Sequence, residues 1–205
     1  MSGNEWWYVL SYIMYTYIGN VTKSDLKMNL FLIKRESYLS EMTVEKEKNM
    51  AIHIVFVEPE IPPNTGNIAR TCAATGTALH LIEPLGFSID DKSVKRAGLD
   101  YWPFVQLEVH KSLDEFMEKY GHRQLYLATT KGGQRYTDVT FQDEDMILFG
   151  KETAGLPRDF IDQHKENAIR IPMSTDTRLR SLNLSNSANI ILFEALRQLG
   201  FPELD

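Results

Sequence analysis

The chain has 205 residues, 43% hydrophobic and 24% charged, enough for one well-packed domain and short for two. Its net charge of −6 argues against a generic basic nucleic-acid binder, so any nucleic acid it meets must find a local basic patch. The single cysteine, Cys72, excludes an intramolecular disulfide and points to a reducing compartment, and the histidines His53, His80, His110, His122 and His164 show no paired metal spacing, so no metal site is expected.

Residues 1–49 differ from the rest. Trp6 to Ile18 is an uncharged aromatic-rich run of 13 residues, below the roughly 17 to 25 that span a bilayer. Glu5 precedes it where a signal peptide carries basic residues. Glu41 to Asn49 reads as a charged tether, and Met50 stands directly before a clean strand. The first 49 residues hold six Lys/Arg and six Asp/Glu, so the whole −6 belongs to 50–205. The expectation is an extension or upstream sequence over 1–49, outside a single domain at 50–205.

Ile52 to Val57 is short, apolar and β-branched, and predicts a strand. Glu58 to Pro63 is a stiff connector, because proline fixes its own φ and restrains its predecessor. A helix opens at Asn64 and runs through Arg70 and Ala74 until Gly76. Cys72 falls in that helical pattern and predicts a buried apolar role. Leu79 to Ile82 is the second strand. Asp90 and Asp91 cap a short helix carrying Lys92, Lys95 and Arg96, the densest basic cluster of the domain and a candidate phosphate-contacting face, or else a solvated one. Ser112 to Glu115 matches a capping box for a helix ending at Tyr120–Gly121. Leu125 to Thr129 predicts a strand, Thr130 to Gly133 a flexible loop, Met146 to Phe149 a strand, Pro157 to Asp162 a short helix, and Ile169 to Ile171 the last strand. Strands alternating with helices imply an α/β fold, with a mostly parallel sheet covered on both faces. Such sheets bind ligands at the carboxyl ends of their strands, where the loops at Thr130, Gly150 and Ser174 emerge.

The stretch from Ile171 to Leu199 carries the most information. Ser181, Asn183, Ser185 and Asn186 crowd hydrogen-bonding groups into a loop before an apolar helix expected from Ser187 to Leu199. One helix cap needs one such residue, and four suggest a loop that grips a ligand. Ala188, Leu192, Ala195, Leu196 and Leu199 form one stripe, and Ile190, Ile191 and Phe193 lie off it. A helix apolar on most sides points to a partner subunit as well as a core. Gly200 supplies the stop.

Gly150 to Gly155 has the glycine spacing of a phosphate loop but continues Leu156-Pro157 in place of Lys and Ser/Thr, and no G-x-G-x-x-G follows a strand. A nucleotide-type ligand would need another mode of binding. The segments Asn64-Thr65-Gly66-Asn67-Ile68-Ala69-Arg70, Phe149-Gly150-Lys151-Glu152-Thr153-Ala154-Gly155-Leu156-Pro157, and Ile171-Pro172-Met173 with Arg180-Ser181-Leu182-Asn183-Leu184-Ser185-Asn186 resemble the three motifs of the SpoU branch of the SPOUT RNA 2′-O-methyltransferases. Glu58 to Asn67 and Lys95 to Tyr101 resemble its small single-domain tRNA (cytidine/uridine-34-2′-O)-methyltransferases in particular. The resemblance runs from about Met50 to Pro202, and 1–49 has no counterpart.

The resemblance implies S-adenosyl-L-methionine as methyl donor, a carboxyl-terminal trefoil knot around it, a homodimer, a tRNA anticodon loop as substrate and a cytoplasmic setting without membrane or metal. It implies that Ala128, Gly150, Ile171 and Ser181 line the cofactor site, and that Arg70, Asn64, Glu152, Ser181 and Asn183 carry the chemistry. Lys92, Lys95, Arg96 and Lys131 are expected to contact RNA. Arg70 is expected to reach the partner's cofactor. Its guanidinium stays protonated, so it stabilises charge on the 2′-oxygen and does not act as a base. Glu152 also admits a structural role at a helix start. Two departures stand out: Phe193 occupies a position where many relatives carry Tyr, and the loop Ser174 to Arg180 differs in length from some of them. Methylation of another RNA such as rRNA, an RNA-binding module without catalysis, and a small-molecule enzyme on a doubly wound sheet are the rival readings.

Overall fold

The computed structural model describes residues 52–89, 101–176 and 181–204. The expected helix with Lys92, Lys95 and Arg96, the expectation for 1–49, and the end of the loop 174–180 therefore lie outside the described residues. Seven strands form one sheet: β1 Ile52–Val57, β2 Ala78–Ile82, β3 Gln106–His110, β4 Leu125–Ala128, β5 Gln134–Arg135, β6 Asp145–Phe149 and β7 Ala168–Arg170, in the order β3-β2-β1-β6-β4-β7-β5. Every pairing is parallel. All of β1, β2 and β6 is buried, as strands covered on both faces must be.

The period of two divides β1 between two cores. Ile52, Ile54 and Phe56 pack with Ile68, Ala69 and Cys72 of α1 (Pro62–Thr75) and with Ala188, Ile191 and Leu192 of α4 (Leu184–Gln198). Val55 and Val57 pack with Phe116 of α2 (Leu113–Tyr120) and Phe160 of α3 (Arg158–Gln163). Cys72 sits in the first core, where burial pushes its thiol far above the usual range, so it packs and does not react.

Local chemistry sets the ends. Proline opens α1 and Gly76, with φ of 66°, closes it. Ser112 Oγ accepts from Glu115 N (3.1 Å), and Glu115 Oε2 accepts from Lys111 N, a capping box that reaches one residue further back than usual. Helix α4 begins three residues before the expected Ser187, because Asn183 accepts from Asn186 N and caps it. Ser185 and Asn186 therefore stand in its first turn and not in the loop. Ile191, expected off the buried stripe, is core, whereas Ile190 and Phe193 remain 37% and 47% exposed. The edge strands β3 and β5 were not among the expected elements: β3 buries only His110 fully and β5 has two residues. Among the described residues no helix is long and apolar enough to cross a membrane.

On the α2 face three buried histidines form a chain across adjacent strands. Arg123 Nη1 lies 2.9 Å from His53 Nε2, His53 Nδ1 2.8 Å from His80 Nε2, and His80 Nδ1 3.0 Å from His110 Nε2. Arginine only donates, so His53 Nε2 must accept, and each Nδ1–H then donates to the next ring. Burial first, then the Arg123 charge, lowers His53 to about 4. Burial, reinforced by His53 and His110, lowers His80 to about 3. Donor atoms of His80, Glu108 and His110 lie within 4.8 Å of one another. In this chain, however, His80 Nδ1 carries a proton, and Glu108 is engaged by Lys119 and Tyr120. The arrangement favours a hydrogen-bonded chain over a metal centre.

Candidate functional site

The loops leaving the carboxyl ends of β1, β4, β6 and β7 enclose a cleft of about 1830 Å³. Ala128, Gly150, Ile171 and Ser181 all line it, and so do Asn64, Glu152, Asn183 and Lys131. The sequence separates these residues by more than a hundred positions, and the parallel sheet gathers them at one edge. Phe149, Leu156 and Ile191 add apolar wall, while Thr129, Ser181 and Asn183 add polar groups. Such a surface suits a ligand with a flat apolar part and a few hydrogen-bonding groups.

Gly150 shows why the loop after β6 starts as it does. A Cβ there would lie 1.9 Å from the Gly155 carbonyl carbon and 2.0 Å from Leu156 N. The loop folds back on itself through a bridge between Lys151 and Gly155, with Gly155 at φ of 75°. The close approach that requires glycine is therefore to the chain's own backbone.

A clasp joins this loop to the connector after β1. The Glu152 carboxylate accepts from Glu60 N (2.8 Å), Ile61 N (3.2 Å) and Asn64 Nδ2 (2.7 Å). It thereby caps the start of α1 from a distant part of the chain, since Ile61 has no capping side chain. In return Glu60 accepts from the N–H and hydroxyl of Thr153, and Lys151 Nζ lies 2.6 Å from Glu58 Oε2. The carboxylate also fixes two amides. It can only accept, so Asn64 turns Nδ2 toward it and Oδ1 away. Asn183 must then present Nδ2 to Asn64 Oδ1 (2.8 Å), which leaves its own Oδ1 for Ser185 Oγ and Asn186 N. One charge thus orders the starts of both α1 and α4. Sequence reading took Glu58 and Glu60 as parts of a stiff connector and of a family-like stretch without a role of their own, because their partners lie more than ninety residues away.

Removing the clasp carboxylate has an expected cost. Glu152→Ala strands three donors, worth roughly 2 kcal/mol together at this half-buried site. A fall in Tm of about 4–8 °C follows for a domain of this size, and differential scanning calorimetry checks it. An unchanged Tm would show the clasp to be dispensable.

Arg70 stands apart. It is exposed on α1, outside the lining of its own cleft, with Nη2 3.1 Å from the Tyr101 hydroxyl and Cζ 4.6 Å from the Tyr101 ring centroid. Among the described residues no carboxylate pairs with it.

The SpoU rRNA Methylase family matches residues 51–193. The chain is 49% identical over 152 residues to the tRNA (cytidine(34)-2'-O)-methyltransferase of Escherichia coli (strain K12), covering 74% of this chain and 96% of that one. It resembles a solved structure described as giving structural insights into the 2-OH methylation of C/U34 on tRNA, at 41% identity and a TM-score of 0.69, over 73% of this chain and 96% of that one. It also resembles the SpoU methyltransferase AviRb from Streptomyces viridochromogenes, solved in complex with the cofactor AdoMet, at 27% identity and a TM-score of 0.62, over 74% of this chain and 58% of that one. The matched span takes in the clasp, the glycine-led loop and the capped start of α4, and on that ground the chain belongs to the SpoU rRNA Methylase family.

Proposed function

We propose that this chain is an S-adenosyl-L-methionine-dependent methyltransferase acting on the ribose 2′-oxygen of the wobble nucleotide, C or U at position 34, of tRNA. The observation that carries the reading is the single cleft in which Asn64, Ala128, Gly150, Glu152, Ile171, Ser181 and Asn183 meet. Its likeness over nearly the full length of the Escherichia coli tRNA (cytidine(34)-2'-O)-methyltransferase supports the substrate. Mass mapping of tRNA ribose methylation in cells lacking the protein tests it. Loss of the methyl group at position 34 is expected, and unchanged methylation there would remove the assignment.

The cleft fits the methyl donor. Ala128, Leu156 and Ile171 offer apolar wall for an adenine ring, and Ser181 offers a polar contact. Bound there, S-adenosyl-L-methionine supplies an electrophilic methyl group on a sulfonium. The protein's task is to hold the ribose oxygen in line with it and to stabilise the charge that grows on that oxygen. Arg70 is the cation for the second task. Glu152 has three donors on its carboxylate, which suits holding Asn64 and the loops in place better than moving a proton. The proton of the 2′-hydroxyl leaves to water or to an RNA phosphate.

The active form is a homodimer whose carboxyl-terminal segment is knotted around the donor, in the cytoplasm and without a resident metal. The exposed Ile190 and Phe193, one turn apart on α4, support burial against a second copy. Arg70, outside its own cleft, then serves the partner's. Residues 1–49 lie outside this catalytic unit. Residues 50–205 alone are expected to unfold at the same temperature as the full chain, and collapse of the shortened protein would reverse that view.

Lys131 lines the cleft, and with Lys92, Lys95 and Arg96 it makes up the set of cations that meets the tRNA phosphates in an otherwise acidic chain. Neutralising the set is expected to flatten the dependence of log affinity for tRNA on log salt, by about one unit of slope for each phosphate no longer paired. Fluorescence anisotropy across a salt series measures it, and an unaltered slope returns these residues to ordinary solvated charges.

A further inference from the structure

We propose that Tyr101 is a positioning residue for Arg70, holding the guanidinium outstretched and still charged so that it meets the reacting ribose already ordered. The proposal rests on the reading of Arg70 as the cation of the reaction. Two independent contacts hold the guanidinium. It donates from Nη2 to the Tyr101 hydroxyl at 3.1 Å, and Cζ lies 4.6 Å from the centre of the same ring. One contact fixes an N–H direction and the other fixes the distance from the ring face.

Tyr101 is itself anchored. Phe104 N donates to its carbonyl at 2.9 Å, in the tight turn at Trp102–Phe104, and its side chain is half-buried. An exposed arginine on a helix would otherwise sample many rotamers and lose that freedom only when substrate arrived. Holding it beforehand moves that cost out of the reaction.

The choice of partner matters as much as the contact. A carboxylate would orient the guanidinium equally well and would cancel much of its field at the substrate oxygen. A phenol orients it and leaves the charge intact. Among the described residues Arg70 has no acidic partner to cancel its positive charge. The fork has five N–H donors, and one is engaged by Tyr101, which leaves others for the ribose oxygen or a phosphate. Since the phenol oxygen accepts here, its own proton is also free to donate.

A double-mutant cycle on the full-length protein decides the matter. Single-turnover methylation of tRNA is measured for the wild type, Tyr101→Leu, Arg70→Ala and the double variant, with S-adenosyl-L-methionine affinity from calorimetry and Tm alongside. Tyr101→Leu is expected to lower the methylation rate about tenfold, the combined worth of one hydrogen bond and one exposed cation–π interaction. Donor affinity stays unchanged, and Tm falls by no more than a few degrees. In the Arg70→Ala background the same change is expected to cost nothing further. Tyr101→Phe keeps the ring and removes the hydroxyl, and it falls between wild type and Tyr101→Leu.

Equal losses in both backgrounds would overturn the proposal, since Tyr101 would then act without Arg70. No loss from Tyr101→Leu, with a large loss from Arg70→Ala, would overturn it and leave the role of Arg70 standing. No loss from Arg70→Ala would remove that role and the proposal with it. A second readout covers a Tyr101→Leu protein that fails to fold, or an Arg70→Ala rate too low to measure. The Arg70 side-chain Nε–H resonance, identified by its disappearance in Arg70→Lys, is expected to gain motion in Tyr101→Phe. An unchanged order parameter there would also overturn the proposal.

Discussion

Homodimers of Arg70→Ala and homodimers of Gly150→Ala are each expected to be inactive, and a mixture of the two is expected to regain methylation. The first variant removes the cation proposed for the transition state, a loss of roughly 10²–10³-fold by analogy with other charge-stabilising donors. The second places a Cβ 1.9–2.3 Å from backbone atoms of Gly155 and Leu156, which cannot swing aside as a side chain would. The loop after β6 must then shift, and the cleft that it lines goes with it. If Arg70 serves the partner's cleft, a mixed dimer contains one site with both parts intact and one with neither. About half the sites of each mixed dimer work, as a two-fold interface requires. If Arg70 serves its own chain, every site carries one defect and the mixture stays silent. Differential tagging and mass measurement establish first that protomers exchange, and Tm values establish that each variant folds.

Stability is expected to fall steeply as pH drops from about 6.5 to about 4. In the unfolded chain a histidine takes up its proton near pH 6.5. In the folded chain burial and Arg123 hold His53 to about 4, and burial with the flanking rings holds His80 to about 3. Both shifts are downward, so their stabilising effect is complete above the unfolded value and is lost on acidification. Each histidine accounts for a loss on the order of 3 kcal/mol by pH 4, comparable in sum with a whole domain's stability. Asp145 acts in the opposite sense. Burial raises it to about 6, so it favours folding as pH falls from about 6 toward its ordinary range and offsets part of the loss. Glu194, lowered to about 2 by hydrogen bonds from Arg197 and Gln198, becomes a liability only below the ordinary glutamate range, so it does not blur this window. Urea unfolding at pH 7, 6, 5 and 4.5 reads the slope. His80→Gln is expected to be less stable at pH 7 and to show a shallower decline. A variant slope equal to the wild type's would locate the acid sensitivity elsewhere.

Much of the fold was legible because its signals are local. The five apolar residues of β1, the prolines and Gly76 around α1, and the box at Ser112 each declare an element without reference to the rest of the chain. Strands β3 and β5 did not declare themselves. As sheet edges they bury little, and although Gln106 to His110 alternates polar and apolar residues, its burial does not follow that alternation. The residues of the cleft were legible through their motifs, but their connections were not. The bonds from Glu152 and Thr153 to residues 60–64 span 88 to 93 positions, and Asn64 to Asn183 spans 119. No periodicity encodes contacts of that range. Gly150 was found through its motif, and the backbone that it must clear is that of its own loop, at Gly155 and Leu156. Tyr101 offered no signal of its own role, because its value lies in what it does to Arg70.

The Glu152 clasp carries a built-in reporter. The amide protons of Glu60 and Ile61, just ahead of α1, end on its carboxylate. They exchange with solvent deuterium only when the loop after β6 swings away, so their exchange rates measure the opening equilibrium of that loop directly. The pair can therefore be followed, without a label or a mutation, while ligands enter and leave the cleft.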